Sequence, residues 1–368
     1  MKNLDSLPKW IAVLTSILLL IGLCVGWANA APAPTVAPPE WNKTLIFSCP
    51  VMLQQAHSET GWADNFYLKE VEKRTGGRLK FRKFWGGTLC KDEEFQPALS
   101  KGKVAQMGGL SINKQYSANP HWSLLTQSYL WGNNFVEWDF VHEVLLKNPV
   151  LVKELAALNI KLLQCFVSGP KGVVSPRSVL KPSDMKGMKV RTIGPVDAKI
   201  ISSFGGIPVT MPFAEVPESL SRGVIDAVFP VVNHVLYTLG FAKFAPYYID
   251  FVGGSDPVVP YIGINLDVWN SLPQDIQKIM LETADYCTAQ SKADHKNSWK
   301  ESIKKARETG AFVHIPSEEE LRVWKDAIDP TLYKAIDEIG TKLGVKDPVG
   351  FVKGIMKEYA EFQKTHKE

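Results

Sequence analysis

Hydrophobic and polar positions along the chain follow two different periods, and the switches between them mark its elements. Residues 44–48 (TLIFS) read as a strand, and residues 57–77 as a helix closed by Gly76 and Gly77. Residues 78–84 (RLKFRKF) alternate with period two, as a half-buried strand does. A short helix over KDEEFQPALSKG and a third strand over 104–110 follow. Helices over about 134–147 and 149–158 precede strands over 159–167 and 171–176. The next stretch runs strand (MKVRT), helix (195–204), strand (IPVTM), helix (213–221) and strand (VIDAVFP). Residues 257–269 (PVVPYIGINLDVW) read as one long extended segment, and the last hundred residues as mostly helical. Strands alternating with helices of this length predict the α/β class on largely parallel sheets. Gly and Pro cluster near 168–172 and 253–260, where hinges would divide the middle of the chain from its ends. The expected division is a first lobe of 43–168 plus 256–296. The second takes 169–255 plus 297–368, including the C-terminal helices.

The first thirty residues break this pattern. Lys2 and Lys9 precede the apolar run WIAVLTSILLLIGLCVG, and Ala28-x-Ala30 places small residues where a signal peptidase cuts. That order predicts a secretory signal peptide over residues 1–30, and hence a periplasmic protein. The same run is only slightly short of a membrane span, so an anchor is its other reading. Residues 31–42 read as a Pro/Ala-rich linker. The chain has 368 residues, 45% hydrophobic and 22% charged, enough for two lobes with separate cores. Its formal net charge is +4, and about +3 once residues 1–30 are set aside. The near-neutral balance argues against a nucleic-acid partner. Cys49, Cys90, Cys165 and Cys287 follow no zinc or CxxC spacing. Export would permit a disulfide. Cys49 and Cys90, each just after an expected strand, are the pair it would join, while Cys165 and Cys287 read as small buried hydrophobes.

The candidate chemistry concentrates in GMKVRTIGP (187–195). Arg191 ends a short strand, and Gly194-Pro195 suits the N-cap and first position of the helix that follows. Parallel sheets bind ligands outside the carboxyl ends of their strands. A planar fork of donors beside the positive end of a helix is suited to holding a carboxylate. The alternative is a structural ion pair between Arg191 and Glu215 or Asp226.

The surrounding stretch, LKPSDMKGMKVRTIGPVDAKIISSFGGIPVTMPFAEVPESLSRGVIDA (180–227), carries an ordered set of positions. Pro182, Asp184, Lys186 and Gly187 lead in to Arg191. Gly206, Pro208 and Val209 follow, then Pro212, Phe213 and Glu215, and finally Gly223, Val224 and Asp226. This pattern resembles the core signature of the extracytoplasmic solute-binding proteins of tripartite ATP-independent periplasmic (TRAP) transporters, the DctP type. Weaker similarity flanks it, in RTGGRLKFRKFWGGTLCKDEEFQPALSKGKVAQM and NLDVWNSLPQDIQKIM, so that most of residues 43–300 is covered. The resemblance implies a two-lobed, type II-like periplasmic binding protein fold of the α/β class. Its lobes are hinge-linked, with a long helix spanning both and a helical C-terminus. It also implies a small organic acid as ligand, a TRAP membrane permease as partner and no cofactor. On the same basis Arg191 holds the ligand carboxylate and Phe213 stacks against the ligand, a core role being the alternative for Phe213. Lys171 stands where part of the family has a second basic residue. A lysine is a point charge and cannot repeat the bidentate grip of an arginine.

One departure bears on the ligand. Many members continue Gln-Glu-Asn-Pro shortly after the position of Asp226, with the Asn hydrogen-bonding the ligand. Here the segment is AVFPVVNHVLYTLGFAKFAPYYI, with Pro230 near that Asn. Asn233 or His234 is the candidate replacement, and an outward-facing helix position is the other reading of both. IDA and GFAKFAPYYI are similar to a branch of the family associated with 2-oxo and related acids. Trp85, ending the second strand, is a candidate apolar wall of the cleft or a core residue. His57 is the only histidine near an expected strand end, where capping or solvation explains it equally well. The chain lacks GxSxG, HExxH, GxGxxG and P-loop motifs, and no metal is expected. A sensor signalling to a membrane receptor and an exported α/β hydrolase are the alternatives to transport.

Overall fold

The computed structural model describes residues 41–49, 59–110, 118–132, 135–165, 167, 169–211, 213–233, 235–255 and 261–366. The leader and most of the linker therefore lie outside the described residues, as do His57 and His234. Eleven strands form two sheets among the described residues. The first has the order β2-β1-β3-β10-β4, with β1 Lys43–Cys49, β2 Leu79–Trp85, β3 Met107–Leu110, β4 Ile160–Cys165 and β10 Tyr261–Asn265. The second has the order β11-β9-β5-β8-β6-β7. Its strands are β5 Lys171–Ser175, β6 Lys189–Thr192, β7 Ile207–Thr210, β8 Ala227–Val232, β9 Tyr247–Gly254 and β11 Phe312–His314.

The sheets are mixed, which corrects the expectation of largely parallel ones. β1 is parallel to β2 and β3, and β6 to β7 and β8, but β10 runs antiparallel to β3 and β4, and β5 antiparallel to β8 and β9. The cause is the way the chain changes lobes. β4 ends where β10 begins, with Cys165 opposite Tyr261, and β5 begins where β9 ends, with Lys171 opposite Gly254. The outgoing and returning crossovers lie side by side, so each must add an antiparallel strand to its sheet. Strands β9 and β11 were not expected from the hydrophobic pattern. The expected extended segment over 257–269 contains β10 but turns helical at Leu266–Asn270, where the Asn265 side chain caps Val268 N–H at 3.0 Å.

A 35-residue helix, Gln274–Glu308, joins the lobes a third time. At 1.5 Å per residue it is about 52 Å long. Near its start Tyr67 donates to the Met280 carbonyl at 3.0 Å and Gln164 of β4 to Thr288 at 3.2 Å. Toward its end Trp299 donates its indole N–H to Asp250 of β9 at 2.9 Å. The helix Glu318–Lys342 then packs on the helix Pro195–Ser203 of the second lobe. The last helix, Pro348–Thr365, grouped with the second lobe on sequence, lies against Pro120–Leu125 and Val136–Glu143 of the first. Tilted and edge-on ring contacts run across this seam from Tyr129 to Phe229 (5.6 Å), Phe229 to Trp324 (5.8 Å) and Trp324 to Phe204 (6.0 Å). A second, smaller core lies on the other face of the second sheet, around Val174, Leu220, Phe241 and Tyr248.

Asp250 is fully buried and accepts from Trp299 Nε1, from the Tyr248 hydroxyl at 3.0 Å and from the Phe251 N–H at 2.9 Å. The contact with its own neighbour's amide helps to hold Phe251 at φ +65°, a strained conformation for a bulky residue. Burial outweighs these donors and pushes the Asp250 carboxyl up to about 6.

Cys49 and Cys90 are not joined by a disulfide, which corrects the pairing considered from sequence. Cys49 is buried in the core face of β1, whereas Cys90 lies by the Ser48 hydroxyl. Successive strand side chains point to opposite faces, so a thiol beside Ser48 faces away from Cys49. Cys165 and Cys287 are buried, as core cysteines are.

The free thiols and the buried carboxyl can each be tested. Without reductant, the denatured chain from Ala31 onward should take up four alkylating groups by mass, and two would restore the disulfide. The raised Asp250 carboxyl stabilises the folded state below pH 4 and loses that contribution as the pH rises through about 6. Chemical denaturation from pH 4 to 7 should show this decline, on the order of 2 kcal/mol, and Asp250→Asn should remove that part of it, leaving the part due to other raised carboxyls. An unchanged slope in the variant would place the titration elsewhere.

Candidate functional site

Strands β7, β6 and β8 form a parallel trio, and Arg191 lies in its centre strand opposite Val209 and Val228. Apolar Val190 and Met188 anchor the strand in the core, so Arg191 is carried to its carboxyl end with only 7% of its surface exposed. There the chain turns at Gly194 and enters the helix Pro195–Ser203 with Pro195 in its first turn. Both features agree with the sequence reading.

The surroundings of the guanidinium are unusual for a buried cation. Its Nη2 donates to the Met211 carbonyl at 3.4 Å, and its carbon lies 5.4 Å from the centroid of the Phe213 ring. The ring offers a cation–π face and is 42% exposed, so it is not a core residue. The buried Nε has no hydrogen-bond partner. No carboxylate of the described residues forms an ion pair with Arg191, and the proposed structural partner Asp226 instead accepts from the Lys189 amide at 2.8 Å. Burial pulls the Arg191 pKa down, and the nearby charge of Asp197 opposes it.

Asp197 was not singled out on sequence. Its carboxylate accepts from the Ile193 and Gly194 amides, both at 3.1 Å, closing the turn that follows Arg191. The expected open cluster of N–H groups at this helix start is thus partly occupied by the protein's own side chain. Part of the residue is solvent-accessible, yet its carboxyl is enclosed enough that burial pushes it up to about 6. The Tyr129 phenol and the Lys171 ammonium oppose that rise. Tyr129 comes from the first lobe and Lys171 opens β5, so both lobes contribute groups around Asp197. A Gly-Pro-x-Asp helix start, with an acid at its third position, was the available signal for Asp197.

Trp85 packs on Phe47 at 5.4 Å in the first sheet, with its buried indole N–H lacking a hydrogen-bond partner. Asn233 directs its amide to Asp250 at 3.5 Å. A cavity of about 160 Å³ is lined by Tyr129, Trp131, Phe251, Trp324 and Lys325 among others. Among the described residues no group of three or more His, Cys, Asp or Glu is arranged to hold a metal ion.

Comparison with known proteins agrees with this architecture. A solute-binding protein of Verminephrobacter eiseniae is 30% identical over 176 residues, 46% of this chain. The match spans about half the length of that relative. A TRAP periplasmic solute-binding protein of Ochrobactrum anthropi superimposes with a TM-score of 0.73 at 20% identity, covering 87% of this chain and 98% of its own. A Bordetella pertussis extracytoplasmic solute receptor that binds pyroglutamic acid gives 0.67 at 18% identity, covering 86% and 99%. The sequence model described as bacterial extracellular solute-binding protein, family 7 (DctP), matches residues 52–338. A match over that much of the chain shows that it belongs to this family, the solute-binding proteins of TRAP transporters.

Proposed function

We propose that this protein captures a small organic acid in the periplasm, having been exported by its leader, and delivers it to a TRAP-type membrane permease. The observation that carries the reading is Arg191, a residue of which only 7% is exposed, whose buried Nε lacks a partner and which no carboxylate of the described residues pairs. A buried charge is costly unless it is paired and hydrogen-bonded. A ligand carboxylate supplies the missing partner, with two oxygens for the fork. Phe213 bounds the same space, exposed enough to meet a ligand and close enough to fix the plane of the guanidinium. The pyroglutamic acid bound by a structural neighbour is itself a carboxylic acid of suitable size.

Capture then proceeds by closure. Arg191 and Phe213 belong to the second lobe and Tyr129 to the first, so a ligand touching both favours the closed form by its differential affinity. The family consists of solute-binding proteins, and the site holds its ligand without altering it.

Native mass spectrometry of the protein purified from its periplasm should release a stoichiometric carboxylic acid. Calorimetric titration with that acid should show Arg191→Ala losing ~2–5 kcal/mol of binding, the range for removing one member of a buried charge pair. Arg191→Lys should also weaken binding, because it lacks the fork. Full affinity in a folded Arg191→Ala protein would overturn the carboxylate assignment.

A further inference from the structure

We infer that Asp197 is a specificity residue, selecting a ligand that carries one carboxylate and, beside it, a hydroxyl or N–H donor, and rejecting dicarboxylates. This rests on Arg191 being the carboxylate grip. Arg191 and Asp197 are held by the same turn, one at the strand end and the other in the first helical turn, and each lies within the other's field. By accepting from the Ile193 and Gly194 amides, Asp197 occupies donors that a second ligand anion would need. The ligand carboxylate is left to Arg191, whose Nε has no partner.

An ionised carboxylate only accepts hydrogen bonds. A ligand atom placed beside Asp197 is therefore matched when it carries a proton and repelled when it carries negative charge. Tyr129 of the first lobe and Lys171 of β5 both favour the ionised form of Asp197, the form that accepts from a donor on the ligand. The charged groups facing Asp197 are Arg191 on β6 and Lys171 on β5. On its own helix, Lys199 is held in an ion pair with Glu338 of the helix Glu318–Lys342.

The test is calorimetric titration of two matched series, lactate, propionate and succinate, and mandelate, phenylacetate and phenylsuccinate. The proteins are the wild type, Asp197→Asn and Arg191→Ala. The Asp197→Asn side chain keeps the shape and an acceptor for the turn. In the wild type the 2-hydroxy acid should bind at least about tenfold tighter than its unsubstituted partner. It should bind about 100-fold tighter than the dicarboxylate, since a site built around a donor discriminates strongly against ligands lacking it. Asp197→Asn should reduce the second ratio below about tenfold. The wild-type ratio should also widen between pH 5 and 7.5 by more than the variant's, as Asp197 ionises through about 6, the second carboxyl of the dicarboxylates ionising alike with both proteins. Dicarboxylates binding as tightly as 2-hydroxy acids, with no effect of Asp197→Asn or pH, would remove Asp197 from specificity and leave Arg191 as the grip. Should no acid bind the wild type better than Arg191→Ala, the carboxylate reading itself would fall.

Discussion

A guanidinium taken out of water and given no carboxylate is the constraint on which the second lobe's architecture depends. Its neighbours supply a carbonyl at 3.4 Å, an aromatic face at 5.4 Å and the more distant field of Asp197. None of these replaces the hydration lost, because an isolated charge needs a close counter-charge with directed hydrogen bonds. The parallel trio fixes where Arg191 emerges, and the turn braced by Asp197 fixes what stands beside it. The Nε of the guanidinium is left without a hydrogen-bond partner.

The lobes are linked in a way that suits this. Two crossovers lie side by side as antiparallel neighbours, and the spanning helix passes them as a third connection. The Asp250 carboxylate ties that helix, through Trp299, to the end of β9. It also accepts from the amide of the one described bulky residue of this strand with a left-handed backbone, Phe251. The seam of rings from Tyr129 to Phe204 gives the two lobes an apolar contact beside the polar site.

Much of this was legible in the sequence, for physical reasons that differ by element. Strands such as RLKFRKF announce themselves by their alternation, and helices by period and caps. Strand direction is not written locally, so the antiparallel crossovers were missed. β9 was missed because its run YYIDFVGG, buried on both faces, has no alternation to read. Arg191 and Phe213 drew attention because both fall within one dense motif. Asp197 lies inside the same motif but was not singled out, because an acid at the third position of a helix is ordinary capping chemistry. Asn233 drew attention by its position near the departure from the family pattern, and its amide lies 3.5 Å from Asp250.

The route of the chain also has a consequence for how the molecule can be divided. The first sheet takes four strands from before residue 166 and one from after 260, and the second sheet gains an edge strand only at Phe312–His314. Helices after that return to the first lobe. No single cut yields two complete lobes, because either fragment would lack a strand or a covering helix held by the other. Each lobe is therefore completed by chain from both sides of the crossovers.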